Sequence, residues 1–331
     1  MSKWMSKKTG SIFMISTMTV MLAACGSEES SGSSEGEGSK YPEDSIEVVV
    51  PAGAGGDTDR NTRTLANYME EELGVSLVIQ NVEGSGGSTG TSEVLDSDPD
   101  GYRVVAYHDA MLLNNILGLT DYSYSDFELA GISILDQSNT FMVSAEAEYD
   151  NAEEMIEYAK KNPGDVNVAT ETGAFTHLQL LAIQQETGAE FNIVDAGGAS
   201  DKITALLGGQ VDVVPTSLGL VEEYVESGEM KSLGILAEER LEQFPDVPTF
   251  QEQGIDVTFD KTFMWAFPPE TPEEVVNTFS EAMETVVTDN EEFREEISSY
   301  AVQPEYMNPD EAEKLLDETN EYYTELNEST E

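Results

Sequence analysis

Residues Val48 to Arg63 read VVVPAGAGGDTDRNTR. An apolar β-branched run stops at Pro51, three glycines follow within four positions, and a polar stretch with helical spacing begins. This is the pattern of a strand that turns tightly into a helix. Gly53, Gly55 and Gly56 carry no Cβ, so the backbone there can turn its N–H groups inward and admit a ligand closely. The helix that follows aims its positive end at the same point, which is how backbone holds an anion. The chain around this loop is strongly acidic, with 66 Asp and Glu against 15 Lys and Arg and a formal net charge of −51.

That charge excludes a class of partners. A nucleic-acid binder needs a basic footprint for the phosphate backbone, and the sequence has none. The acids are spread along the length and alternate with apolar positions, so they describe an acidic surface on a folded body. With 331 residues, 39% of them hydrophobic, the chain buries a proper core and suits two modest domains. High salt accounts for such a surface: at about 1 M the Debye length falls to roughly 3 Å, so repulsion is screened while carboxylates keep the protein hydrated.

Residues 1–24 read as a signal peptide: Lys3, Lys7 and Lys8 precede the mostly apolar SIFMISTMTVMLAAC, too short for a spanning helix. Its end, Leu22-Ala23-Ala24-Cys25, resembles a bacterial lipobox, and Cys25 is the only cysteine in the chain. Acyl chains on Cys25 would tether the protein to the outer face of the cell membrane. Residues 26–40, GSEESSGSSEGEGSK, contain no large apolar residue and read as a flexible acidic leash.

From Ser45 onward, strand-like runs alternate with helical patterns: IEVVV, a helix near Thr58 to Leu73, VSLVIQ, a short helix, then YRVVAY. This rhythm predicts crossover units on a largely parallel sheet. A second block opens at NAEEMIEYAKKNP and passes through DVNVAT, THLQLLAIQQETG, EFNIVDAGG, ASDKITALLGG and QVDVVPTS, again strand and helix in turn. Two α/β lobes follow, with the chain crossing between them near Ala145 and returning near Gly254. Lobe 1 is then 41–145 plus 255–331, and lobe 2 is 146–254. Late helices carry start signals at Thr271-Pro272-Glu273-Glu274 and Asn308-Pro309-Asp310-Glu311.

Several motifs compete for a chemical role. GGSTG at 86–90 fits G-x-S-x-G and would make Ser88 a hydrolase nucleophile with His108 or His177 as base, but NVEGSG separates it from the strand that an elbow requires. DSDPDG at 96–101 imitates a calcium loop, yet its twelfth position is Tyr107 where a glutamate belongs, so a polar turn is the expectation. GAGGDT places Thr58 where a dinucleotide fingerprint needs glycine, and no G-K-[ST] follows a glycine loop. Two histidines and no HExxH leave little for a zinc site. No metal or cofactor is expected. What remains is the opening loop and a second strand-to-helix turn, ATETGAFTHLQ at 169–179, one in each lobe.

At this point the residues become specific. Pro51, Gly55-Gly56, Asp59, Arg63, Asn81, Gly84, Gly86-Gly87 and Pro99-Asp100-Gly101-Tyr102 resemble, in order, the N-terminal signature of the substrate-binding proteins of tripartite tricarboxylate transporters, the Bug receptors. TGAFTHL, ALLGGQVDVV, ERLEQFPDVPTFQEQG and FPPETPEEVV continue the match in the family's order. The resemblance implies an α/β, two-lobed type II periplasmic-binding-protein (Venus flytrap) fold with a ligand cleft between lobes. It implies an extracytoplasmic receptor that captures a small organic carboxylate and delivers it to transporter membrane subunits, as a monomer and without a catalytic role. A ligand-sensing role beside a signalling receptor, and the Ser88 hydrolase, stay open as alternatives.

Carried over by position, the resemblance implies a first ligand loop of Gly53, Ala54, Gly55, Gly56, Asp57, Thr58 and Asp59. It implies a second of Thr170, Thr172, Gly173, Ala174, Phe175, Thr176 and His177, a turn at Gly197 and Gly198, and Ser217 near the cleft. One departure concerns Glu171, because the family's second loop commonly reads Gly-x-Gly-Ser. A carboxylate there opposes an anion unless it faces away or meets an amine. Arg60 and Arg63, three apart on an acidic helix, are expected to pair with carboxylates, and Asp59 to order the loop through backbone N–H groups.

Overall fold

The computed structural model describes residues 41–328. The predicted signal, Cys25 and its tether lie outside them. The chain opens with β1 (Ile46–Val50), α1 (Asp57–Leu73), β2 (Leu77–Asn81), α2 (Ser88–Leu95), β3 (Arg103–His108), α3 (Ala110–Ile116) and β4 (Glu128–Asp136). It continues through β5 (Asn139–Ser144), α4 (Ala152–Lys161), β6 (Asn167–Thr170), α5 (Phe175–Thr187), β7 (Asn192–Asp195), α6 (Ala199–Leu207), β8 (Val213–Ser217), α7 (Leu218–Glu226) and β9 (Met230–Ile235). It closes with β10 (Lys261–Phe267), α8 (Glu273–Asp289), α9 (Glu291–Ser298), β11 (Gln303–Met307) and α10 (Pro309–Glu328).

Two sheets result. The first has the order β11-β4-β10-β3-β1-β2 and the second β7-β6-β8-β5-β9. Each is mixed: β1 pairs in parallel with β2 and β3, and β6 with β7 and β8, whereas β10, β11 and β5 run antiparallel to their neighbours. The expectation of largely parallel sheets fails first at β5 and β10, which enter each sheet straight from the other one without a crossover helix. β11, reached from β10 through α8 and α9, keeps the direction of β10 and so runs antiparallel to β4.

The crossing itself lies earlier than Ala145. β5 bonds to β8 and β9 of the second sheet, so the chain leaves the first sheet at Asp136 and joins the second at Asn139. The turn between them is tied by Asp136, whose Oδ1 accepts both the Ser138 N–H at 2.8 Å and the Ser138 hydroxyl at 2.7 Å. The return passes through residues 236–260, where Phe259 N–H donates to the Leu236 carbonyl at 2.8 Å.

Local signals explain most element ends. Gly74 sits in the left-handed region at φ 72° and closes α1 by donating to Glu70. Asn308 and Glu311 form reciprocal caps at the start of α10. Thr271 does not cap α8 as its sequence suggests; its hydroxyl donates instead to the Pro268 carbonyl at 2.8 Å, and Pro272 takes the N-cap position. One apolar core lies under α1, α8 and α9, with Leu65, Met69, Trp265, Phe279 and Phe293 buried. Another runs through the second sheet and reaches α10 through Phe175, Phe259 and Tyr323, whose rings lie 5.8–6.4 Å apart.

Candidate functional site

The strand-to-helix turns of the two lobes face one another across a narrow cavity of about 80 Å³. From lobe 1 it is lined by Pro51, Ala52, Gly53, Gly56, Asp57, Thr58, Tyr107 and His108, and from lobe 2 by Glu171, Ala174, Phe175, Thr176, Gly198, Ala199, Lys202 and Thr216. Asn139 and Lys261, from the two strands that cross between sheets, form its back.

Three helices begin at this cavity. Their N-cap positions are Gly56 for α1, Ala174 for α5 and Gly198 for α6, all extended, and none has a side-chain cap. Glycine and alanine supply no side-chain cap. The Thr58 N–H bonds the Asp57 carboxylate and the His177 N–H the Ala174 carbonyl, each at 2.9 Å, and the other first-turn N–H groups stay available to a ligand. Each terminus carries roughly half a positive charge, and three converge.

The remaining predicted residues take supporting places. Asp59 is buried beneath the first loop, where Oδ2 accepts the Gly55 N–H at 2.8 Å and Oδ1 meets Arg63 and Asn81 at 2.9 Å each. Burial raises the Asp59 pKa, but these bonds outweigh it and leave the carboxyl below its ordinary value. Ala54, Gly55, Thr170, Thr172, Gly173, His177 and Gly197 lie outside the cavity wall. Thr170 bonds Thr176 hydroxyl to hydroxyl at 2.8 Å, Thr172 donates to Asp195 at 2.9 Å, and His177 Nδ1 accepts the Gly173 N–H at 3.3 Å. Ser217 is buried where the lobes join, its hydroxyl 2.7 Å from that of Ser138, and its neighbour Thr216 takes the place in the wall.

Arg63 pairs with Asp59 as expected, but Arg60 has no carboxylate partner among the described residues. Its guanidinium crosses to lobe 2, donating to the Gly219 carbonyl at 3.0 Å while lying 4.1 Å above the Tyr300 ring. Glu171 also spans the cleft: Oε1 accepts the Gly86 N–H from lobe 1 at 3.2 Å. Burial is the main cause that raises the Glu171 pKa. One of its oxygens is therefore engaged with backbone rather than left to oppose an anion.

The sequence reading passed over the two lysines and weighed His108 only as a base for Ser88. Lys261 lies at the back of the cavity, paired with Asp57 and with Asp136 Oδ2 at 3.3 Å. Burial works against both charges, yet the pairing outweighs it, holding Asp57 well below the carboxylate range and Lys261 above its usual value. Burial, helped by the Lys261 charge, pushes His108 down to about 3, so the imidazole is neutral; its Nδ1 accepts the Ala110 N–H at 3.2 Å. Lys202 donates to Thr176 Oγ1 at 3.2 Å and the Pro215 carbonyl at 3.1 Å. ASDKITALLGG marks its helix in the sequence, and nothing local marks the side chain as facing the cleft.

Ser88 begins α2, and among the described residues neither histidine bonds to its hydroxyl; its carbonyl accepts from Tyr122 at 3.0 Å. Asp100 accepts the Tyr102 N–H at 3.0 Å in the polar turn that leads into β3. No group of three or more metal-ligating side chains occurs among the described residues.

Two lobes with a cleft lined by helix N-termini define a solute-binding protein. Residues 61–329 match the family described as "Tripartite tricarboxylate transporter family receptor", and the chain belongs to it. Protein BugT of Bordetella pertussis is 32% identical over 218 residues, 65% of this chain and 67% of that protein. The solved structure of the periplasmic binding protein BugD superposes with a TM-score of 0.82 at 26% identity, covering 88% of this chain and 98% of that one. MatC from Rhodopseudomonas palustris, solved with bound malate, shares the fold at 22% identity and a TM-score of 0.80, over 86% of this chain and 99% of that one. The family is one of extracytoplasmic solute-binding receptors.

Proposed function

We propose that this chain captures a small organic carboxylate between its lobes and presents the closed form to the membrane subunits of a tripartite transporter. One observation carries the reading: three helix N-termini without side-chain caps converge on a single cleft between lobes. Such termini hold an anion at contact distance, where the net charge of the surface, screened by salt, does not compete. Gly53, Gly56 and Asp57 grip the ligand from lobe 1 through their backbone and Thr58 through its hydroxyl, its N–H being bonded to Asp57. Ala174, Phe175, Thr176 and Gly198 grip it from lobe 2. Ala54, Gly55, Asp59, Thr170, Thr172, Gly173, His177 and Gly197 hold those loops in shape, and Ser217 steadies the join between lobes. Cys25 carries the lipid that keeps a monomeric receptor at the outer face of the membrane, and the reading includes no chemical step on the ligand.

Delivery requires that ligand favour the closed state, which it does by touching both lobes at once. A thermal-shift screen of the purified protein in high salt against mono-, di- and tricarboxylates, amino acids and neutral sugars tests this. At about 100 times its dissociation constant a true ligand adds roughly 2.7 kcal/mol of stability. A shift by carboxylates and not by sugars supports the reading; a shift by sugars alone overturns it. Mass spectrometry of the membrane-extracted protein reads the lipid on Cys25.

A further inference from the structure

The cleft contains hydrogen-bonding capacity that its own residues do not use. Lys202, 5% exposed, has no carboxylate within ion-pair distance among the described residues. Its ammonium has three donors, and two go to Thr176 Oγ1 and the Pro215 carbonyl. Fourteen residues further on, Thr216 is 7% exposed and its buried hydroxyl has no partner. Both line the same wall of the cavity. Lys261 is different, because Asp57 and Asp136 already neutralise it. A buried cation held only by neutral oxygens, beside an unpartnered hydroxyl, is costly unless an anion completes it.

We propose that Lys202, with Thr216 beside it, is the specificity-determining contact of this receptor: it binds an ionised carboxylate of the ligand directly and restricts the cleft to anions. The inference rests on the carboxylate reading above and names the side chain that enforces it. Backbone N–H groups accept neutral oxygen ligands as well as anions, whereas a desolvated ammonium discriminates between them. It also ties affinity to proton occupancy. Burial lowers the Lys202 pKa to about 8. Asp57 from α1 and Glu171 from the β6–α5 loop favour the charged form, Lys261 from β10 opposes it, His108 faces it neutral, and Asp201 on its own helix lies over Gly197.

The test titrates the full protein with malate, adipate, citrate and glutamate by calorimetry at pH 7.5 and pH 9.5, where these carboxylates stay ionised. The expected result for whichever of them bind is a Kd that weakens by about tenfold per pH unit above Lys202's midpoint. Lys202→Met should lose at least about 30-fold at pH 7.5, on the scale of removing one partner of a buried charged bond, and its residual binding should no longer change with pH. Thr216→Val, which keeps the shape, should lose threefold to tenfold and keep the pH dependence; it serves if Lys202→Met does not fold. A wild-type Kd that is flat from pH 7.5 to 9.5, or a Lys202→Met Kd within threefold of wild type, overturns this inference and leaves the carboxylate reading standing. Silence of all four probes on the wild type overturns both.

Discussion

The Arg60 guanidinium reaches from lobe 1 to the Gly219 carbonyl of lobe 2 at 3.0 Å, and the same group lies 4.1 Å over the Tyr300 ring. Behind that bond the backbones touch, since a Cβ on Gly219 would fall 1.8 Å from the Tyr300 carbonyl oxygen. The rim of the cleft has a similar seam, where a Cβ on Gly86 would fall 2.9 Å from the Gly173 carbonyl carbon and the Gly86 N–H is held by Glu171. These contacts join the two lobes beside the cleft.

Arg60→Ala removes a charged hydrogen bond that joins the lobes and a cation–π contact within lobe 1. The expected outcome is a loss of about 1 to 2 kcal/mol, read as a lower denaturant midpoint, together with a larger radius of gyration in solution scattering without ligand. An unchanged radius would place the bond among those that do not govern closure.

Gly56→Val should abolish capture while sparing the fold. A Cβ at Gly56 would lie 3.6 Å from the Ala199 Cβ of the opposite lobe and 3.4 Å from the Gly53 carbonyl oxygen, so Ala fits and the further methyl groups of Val do not. The φ of −78° there imposes no strain on either variant. Thermal shifts by the wild-type ligand should survive in Gly56→Ala and vanish in Gly56→Val, with both melting close to wild type unliganded.

Lys261→Met leaves Asp57 and Asp136 as buried carboxylates without their cation. Breaking a buried pair from one side costs about 3 to 5 kcal/mol. The sign of the pH effect identifies the cause. In the wild type, Asp57's depressed pKa contributes stability that is present above the ordinary carboxylate value and lost as pH falls through the folded value. In Lys261→Met the Asp57 pKa rises instead, because burial is no longer outweighed by the lysine, so the variant should gain stability relative to wild type as pH falls from 7 towards 5, measured as the difference in urea midpoints.

His108 and Asp109 should act with opposite signs on acidification. His108 is pushed by burial to about 3, so its contribution is complete above roughly 6.5 and is lost progressively as pH falls towards the folded value. Asp109 is pushed by burial up to about 7, against its bonds to Thr262, and its contribution is present below the ordinary carboxylate value and lost as pH rises through 7. Replacing His108 with Asn, which can still accept the Ala110 N–H, should make stability between pH 6.5 and 4 rise relative to wild type, by up to about 1.4 kcal/mol per pH unit. Parallel urea midpoints for the two proteins across that range would sink the assignment.

The sequence by itself determined what depends on neighbours in the chain. Pro51 and the glycines after it fix the first turn, Gly74 ends α1 in the left-handed region, Asn308 and Glu311 start α10, and β-branched runs mark β1, β6 and β8. Those effects act over a few residues, and the periodicity of strand and helix follows from them. The long-range partners of charged and hydroxyl groups were decided only by tertiary structure. Lys261 meets Asp57 across 204 positions, Lys202 meets Pro215 only because α6 packs against β8, and Arg60 leaves the carboxylates of its own helix for a carbonyl on the other lobe. The early crossing at Ser138 was hidden for the same reason, since NTFMVS reads as a strand in either sheet until hydrogen bonds to β8 and β9 assign it. A side chain's environment is set by burial and by what the fold brings within a few ångströms, and neither quantity is written in the spacing of the chain.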